Sequence, residues 1–178
     1  LRPLRTDALP RSRVPPTALA SRAMILFRYH VGPSAIPGAG QGLFLDQPAP
    51  AGRILVAPEV IPCTHSLAEI EAMLDSANAL AASVRWFEDR FTTTPEWPDE
   101  CSINHSFEPT GLWHLGFVFA RRTPPAGTEI TVDYRHLLGD RQREAWDDAL
   151  TGRAILGLPW VQSLAMSTSE LAAILARG

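Results

Sequence analysis

The chain is expected to fold as a mainly β domain with one helical insert. Three observations carry that expectation. Short β-prone apolar runs recur at residues 24–31, 43–45, 53–57, 112–120 and 129–134, each bounded by Pro or Gly. Helical spacing with a capping box comes before the last strand in one place only, residues 66–91. The composition, 46% hydrophobic and 20% charged over 178 residues, is that of a globular domain with a real core, with or without tails.

In chain order, residues 1–23 hold five arginines and four prolines without apolar periodicity, which predicts a flexible arm. A start at Met24, with the upstream residues extra, is the other reading of this stretch. Residues 24–31 (MILFRYHV) form the first expected strand, broken by Gly32-Pro33-Ser34. The glycine-rich turn GAGQG follows at residues 38–42, then a second strand at 43–45 and a third at 53–57. In residues 66–91, Ser66 and Glu69 form the capping box, and Leu67, Ile70, Met73, Leu74, Leu80, Val84 and Phe87 supply the apolar spacing. This predicts a helical insert of about 20 residues, broken near residues 76–78. A loop rich in Thr, Pro and acid covers 92–100. Residues 101–134 then read as loop, strand, tight turn at Pro124, Pro125 and Gly127, and a closing strand. Residues 139–150 (GDRQREAWDDAL) are charged and compatible with a helix. Residues 167–177 read as a second helix with a capping box from Ser167 to Glu170. The expected division is therefore an arm (1–23), a domain (24–138) and a helical extension (139–178).

Composition narrows the function. The net charge of −3 gives no sign of general nucleic-acid binding. All 16 basic residues are arginine, so the chain has no lysine side chain of its own. Two cysteines, Cys63 and Cys101, make neither a disulfide framework nor a cysteine-rich zinc cluster, and no metal site is expected. No run approaches the roughly 20 apolar residues of a membrane span, and the N-terminal segment is too interrupted for a signal peptide, so a cytoplasmic location is expected.

Three segments carry candidate chemistry. Gly38, Gly40 and Gly42 let the backbone approach a ligand closely, but GAGQG opens no helix, unlike a dinucleotide fingerprint. Asn104-His105-Ser106 suits a tight polar loop, in which Asn104 and Ser106 could simply satisfy the loop's own backbone. Ser106 has no GxSxG setting for a nucleophile. Tyr134 ends the closing strand, either as a packed aromatic with its hydroxyl at the surface or as a positioned group.

Taken together, IPGAGQGLF (residues 36–44), NHSFEPT (104–110) and GTEITVDY (127–134) resemble the SET domain of protein-lysine methyltransferases, whose motifs are a GxG turn, NHSxxPN and GxEIxxDY in that order. The resemblance covers about residues 24–134. It implies a β-clip of short sheets closed by a C-terminal pseudoknot, in a small bacterial-type member without zinc-binding flanks. It implies S-adenosylmethionine (SAM) as cofactor, held by Ala39, Gly40, Gln41, Gly42, Asn104 and His105. It implies methyl transfer to a protein lysine with Tyr134 as the catalytic residue, orienting the amine rather than acting as a base. Trp113, Phe91 and Trp97 are the expected walls of a lysine channel, and Trp146 or Trp160 the candidates to cover the adenine. Glu88, Asp89, Glu96, Asp99 and Glu100 would give the groove for a lysine-bearing protein or peptide an acidic wall. The chain departs from the motifs at Thr110, where asparagine is usual, and at Cys101 and Ser102. An inactive SET module that binds a peptide or partner protein is the alternative function, and a methyltransferase for a small amine a further one.

Overall fold

A computed structural model describes residues 25–56 and 64–177. The expected arm over residues 1–23 lies outside them, as do Met24, Ala57 and Cys63. The described residues form small β-sheets with a few helices, as the strand and turn signals predict.

The first sheet has the order β1 (Tyr29–Pro33), β2 (Gln41–Leu45), β9 (Glu129–Val132), β6 (Asn104–His105). β1 and β2 are antiparallel, with Tyr29 opposite Leu45 and Pro33 opposite Gln41. Pro33 is tolerated because β1 is an edge strand. β2 runs antiparallel to β9, whereas β6 runs parallel to β9, Asn104 lying opposite Thr131 and His105 opposite Val132. A parallel pair needs a long crossover. Residues 106–128 supply it, leaving the first sheet to build part of a second one, of order β3 (Ile54–Val56), β8 (Phe117–Ala120), β7 (Gly111–His114). The apolar run at 112–120 is thus a hairpin rather than one strand. Leu115 and Gly116 both take positive φ at its turn, as a two-residue hairpin loop requires. Leu43, Leu45, Leu55, Val56, Val118, Ile130 and Val132 fill the main core.

The helical expectation over 66–91 needs correction. The capping box is present: Ser66 Oγ accepts from Glu69 N at 3.2 Å, and Ser66 N donates to Glu69 Oε2 at 2.6 Å. It starts only a short helix α1 (Leu67–Glu71), and α2 (Ser76–Ala81) begins where a break was expected. The remainder is a hairpin, β4 (Ser83–Phe87) and β5 (Arg90–Thr93), turning at Glu88 with φ 46°. Val84 and Phe87 continue the helical spacing of Leu80 by coincidence. In the strand Arg85 points inward and Phe87 is exposed. Ser-Val-Arg-Trp-Phe and Arg-Phe-Thr-Thr are rich in β-branched and aromatic residues, which pack better on a pleated surface than in a helix.

The C-terminal region also differs. Residues 139–150 form no helix; β10 (Arg143–Asp147) pairs with β11 (Ala154–Leu156) around a turn containing Gly152 at φ 66°. Asp148 Oδ2 accepts from Thr151 N at 2.8 Å and Thr151 Oγ1 at 2.6 Å, fixing that turn. α3 (Trp160–Leu175) starts seven residues before the expected Ser167 cap. Ser167 is buried inside the helix, pairing with His114 Nδ1 at 2.9 Å, and Glu170 meets Arg121 instead of capping. None of the described helices is long and apolar enough to cross a membrane.

Candidate functional site

Glu129, on β9, ties two of the motif segments together. Its Oε1 accepts from Ser34 Oγ at 2.8 Å and from Asn104 Nδ2 at 3.0 Å, and its Oε2 accepts from Ala35 N at 3.0 Å. Asn104 Nδ2 also donates to Gln41 O at 2.7 Å. The glycine turn, β6 and β9 therefore meet around one carboxylate. Gly38 and Gly40 have φ of 78° and 74°, a conformation that glycine adopts without a Cβ penalty. Gly42 is needed for a different reason: a Cβ there would lie 2.4 Å from Glu129 Oε1.

His105 forms the floor of the site and is only 3% exposed. Its Nδ1 accepts from Tyr134 N at 3.1 Å, so the neutral ring carries its proton on Nε2. Nε2 has no hydrogen-bond partner among the described residues; Asp148 Oδ1 stands 3.9 Å away. Burial holds the ring's pKa below its ordinary value, outweighing the upward pull of Asp133 and Asp148. A buried ring N–H without a partner is costly unless something else satisfies it.

Tyr134 does not end the strand. It begins a 3-10 turn (Tyr134–His136) stabilised by Asp133, whose Oδ1 accepts from Arg135 N at 3.0 Å. Its hydroxyl donates to Ile103 O at 2.7 Å. Burial first, then the nearby Glu144 and Cys101, push the phenol well above its ordinary range, so it stays protonated at neutral pH.

A cleft of about 360 Å³ opens beside Asn104 and His105, within the range of about 300–1,000 Å³ usual for small-molecule sites, and Tyr134 is not among its lining residues. Gly38 and Ala39 line one side, Asn104 and His105 the floor, and residues 146–149 the far side. The Trp146 ring stands 6.4 Å from His105 and 6.1 Å from Tyr134, edge-on to both, yet is 46% exposed.

Of the expected cofactor residues, Ala39, Asn104 and His105 line this cleft. Gly40 shapes the turn, the Gln41 carbonyl is taken up by Asn104, and Gly42 admits Glu129. The three expected channel residues stand apart from it. Phe91 is fully buried in the insert's own small core with Ile70 and Ala79. Trp97 is half-exposed, and its Nε1 donates to Asn78 Oδ1 at 2.9 Å. Trp113 packs on the main core and borders a second, smaller cleft under α3. Trp160 borders that second cleft too, near the Arg85 guanidinium. Two of the acidic residues already have partners: Asp99 accepts from the Tyr29 hydroxyl and Asp89 from Leu67 N. Asp148, and Trp146 as a wall rather than one of two candidates, come from the C-terminal hairpin. Their signal is the alternation of Glu144, Trp146 and Asp148 within a run that also suits a helix.

No family model matches the chain, and no curated protein matches it.

Proposed function

We propose that the chain is a SET-domain methyltransferase that binds SAM in the 360 Å³ cleft and methylates the side-chain amine of a protein lysine. The observation that carries this reading is the meeting of the three motif segments around Glu129, beside a cleft lined by Asn104 and by His105, whose buried Nε2 has no hydrogen-bond partner among the described residues. The parallel β6–β9 pair, reached by a crossover through a second sheet, supports a β-clip fold closed by the chain's C-terminal motif.

The residues present fit such a cofactor. Ala39 offers backbone, Asn104 and His105 offer polar edges, and Trp146 offers an aromatic face. Bound SAM would supply an activated methyl group on a sulfonium. The chain's own contribution is positioning and exclusion of water. The glycine turn and β6 are held at fixed separation by Glu129. Tyr134 is neutral and its hydroxyl donates to Ile103 O; its oxygen would orient an incoming amine.

The rival reading is an inactive module of the same family that binds a peptide or partner protein. It is favoured by the dispersal of Trp113, Phe91 and Trp97, which form no common channel. Calorimetry of SAM with the parent and with Trp146→Ala tests the cofactor half of the proposal. Binding that weakens about tenfold in the variant is expected, the scale of a lost aromatic contact. Absence of binding in the parent would refute it.

A further inference from the structure

The 360 Å³ cleft is lined by acid and not by base. Asp147 and Asp148 line its far side, no arginine lines it, and the chain has no lysine. Asp147 is neutralised by Arg143 at 2.6 Å, whereas none of the ion pairs among the described residues joins Asp148 to an arginine. Arg135 is paired with Asp133, and the Arg153 guanidinium lies over the Phe107 ring at 4.2 Å. Asp148 is only 3% exposed. Thr151 N and Oγ1 both donate to its Oδ2, which suits an ionised carboxylate that only accepts. Its Oδ1 stands 3.9 Å from His105 Nε2, beyond hydrogen-bond distance, and that ring nitrogen is itself buried without a partner. Two buried polar groups bordering one cleft thus leave each other unsatisfied. A buried charge without a counter-charge is costly, and a cationic ligand offsets that cost. Next to it in the chain, Trp146 lines the same cleft and stays 46% exposed.

We infer that Trp146 and Asp148 make this end of the cleft a receptor for an onium group, a sulfonium or a fully alkylated ammonium, with the indole meeting its surface and the carboxylate balancing its charge. Such a cation has no N–H to be satisfied and is attracted to aromatic faces, that of tryptophan most of all. A metal ion fits less well: no group of three or more His, Cys, Asp or Glu side chains able to hold one occurs among the described residues. The place of this receptor in a reaction rests on the methyltransferase reading; its preference for an onium does not. On that reading the group is the sulfonium of SAM, and the neutral sulfur of the product, S-adenosylhomocysteine, is held more weakly. The cleft then tells cofactor from product by charge, since the two differ only at that sulfur and its methyl group.

NMR titration of the full chain with tetramethylammonium and with tert-butanol, a neutral molecule of similar size and shape, tests the receptor. The parent is expected to prefer the cation by about tenfold or more, the scale of a desolvated cation–π contact. Asp148→Asn keeps an acceptor for Thr151 and should remove most of the preference. Trp146→Leu, at an exposed position, should reduce it independently of that turn. No preference in the parent, or the parent's preference retained in both variants, overturns the proposal. Calorimetry of the same samples with SAM and S-adenosylhomocysteine separates the two sources of the cation. SAM bound about tenfold more tightly than its product by the parent, and equally by Asp148→Asn, assigns the sulfonium. Equal affinities in the parent, with the tetramethylammonium preference intact, assign an alkylated ammonium instead. A chain that prefers tetramethylammonium but binds neither SAM nor S-adenosylhomocysteine removes the methyltransferase reading and leaves the receptor standing. Binding of both without the preference removes the receptor alone.

Discussion

A methyl group at residue 42 would displace the carboxylate that joins three segments of the chain. Gly42 has no positive φ to protect, so Gly42→Ala acts through contact alone, a Cβ 2.4 Å from Glu129 Oε1. Glu129 must then release Asn104, Ser34 or both. The variant should lose about 1–3 kcal/mol of stability, the range for overpacking, and SAM affinity should fall with it. Denaturant titration and calorimetry check the two effects, and a variant that keeps both would disconnect Glu129 from the site. Tyr134→Phe isolates a different bond. It keeps the ring against His105 and Trp146 and removes the hydroxyl that donates to Ile103 O. SAM affinity should stay close to the parent while turnover falls roughly 10²-fold, the scale of a lost positioning contact at a reacting centre. Equal turnover in single-turnover assays would move the active site elsewhere.

Two elements are held to the rest by buried polar groups, and each gives a stability prediction. β4 carries Arg85, whose side chain is fully buried. Its Nη1 pairs with Asp140 Oδ1 at 2.7 Å and its Nη2 donates to Leu158 O at 2.7 Å, fastening the insert to the segment before α3. Asp140→Ala leaves that guanidinium with one partner fewer and should cost about 1–3 kcal/mol. Arg85→Met, which removes the charge as well, should cost less than Asp140→Ala does. Denaturant midpoints that rank the other way would contradict the clamp. α3 is held by His136, paired with Ser163 Oγ at 2.8 Å, and by His114, paired with Ser167. Burial depresses both rings below the ordinary 6.5, for His136 against the pull of Asp133 and Glu170. The unfolded chain therefore takes up protons as pH falls through 6.5 while the folded one does not. The linked stability is complete above 6.5 and is lost as pH drops from there toward the folded values. His136→Asn should flatten the decline of Tm over that window; an unaltered slope would show that the ring does not titrate on unfolding.

For the molecule as a whole, what could be read from the sequence divides along physical lines. The existence of the strands on either side of the glycine turn was legible, but not the bounds of the first. Gly32 and Pro33, expected to break it, are its last paired residues, which an edge strand tolerates. The Ser66–Glu69 box was legible because its geometry is local. The β4–β5 hairpin was not, because Leu80, Val84 and Phe87 share a helix's period while the packing of Arg85 and Phe91 decides for a strand. The start of α3 was hidden because Pro159 precedes it without a side-chain cap. Within the site, Ala39, Asn104 and His105 could be found from their motifs. Trp146 and Asp148 could not, since only the return of the β10–β11 hairpin to β6 brings them there. The proposed activity is tested most directly by incubating a lysine-bearing protein mixture with the chain and isotopically labelled SAM, then reading lysines by mass spectrometry. The chain has no lysine side chain, so it adds no background at those positions. Labelled methyl groups on lysine amines are expected with the parent, and roughly 10²-fold slower labelling with Tyr134→Phe. A parent that leaves every lysine unlabelled, or a variant that labels as fast, would contradict the proposed activity.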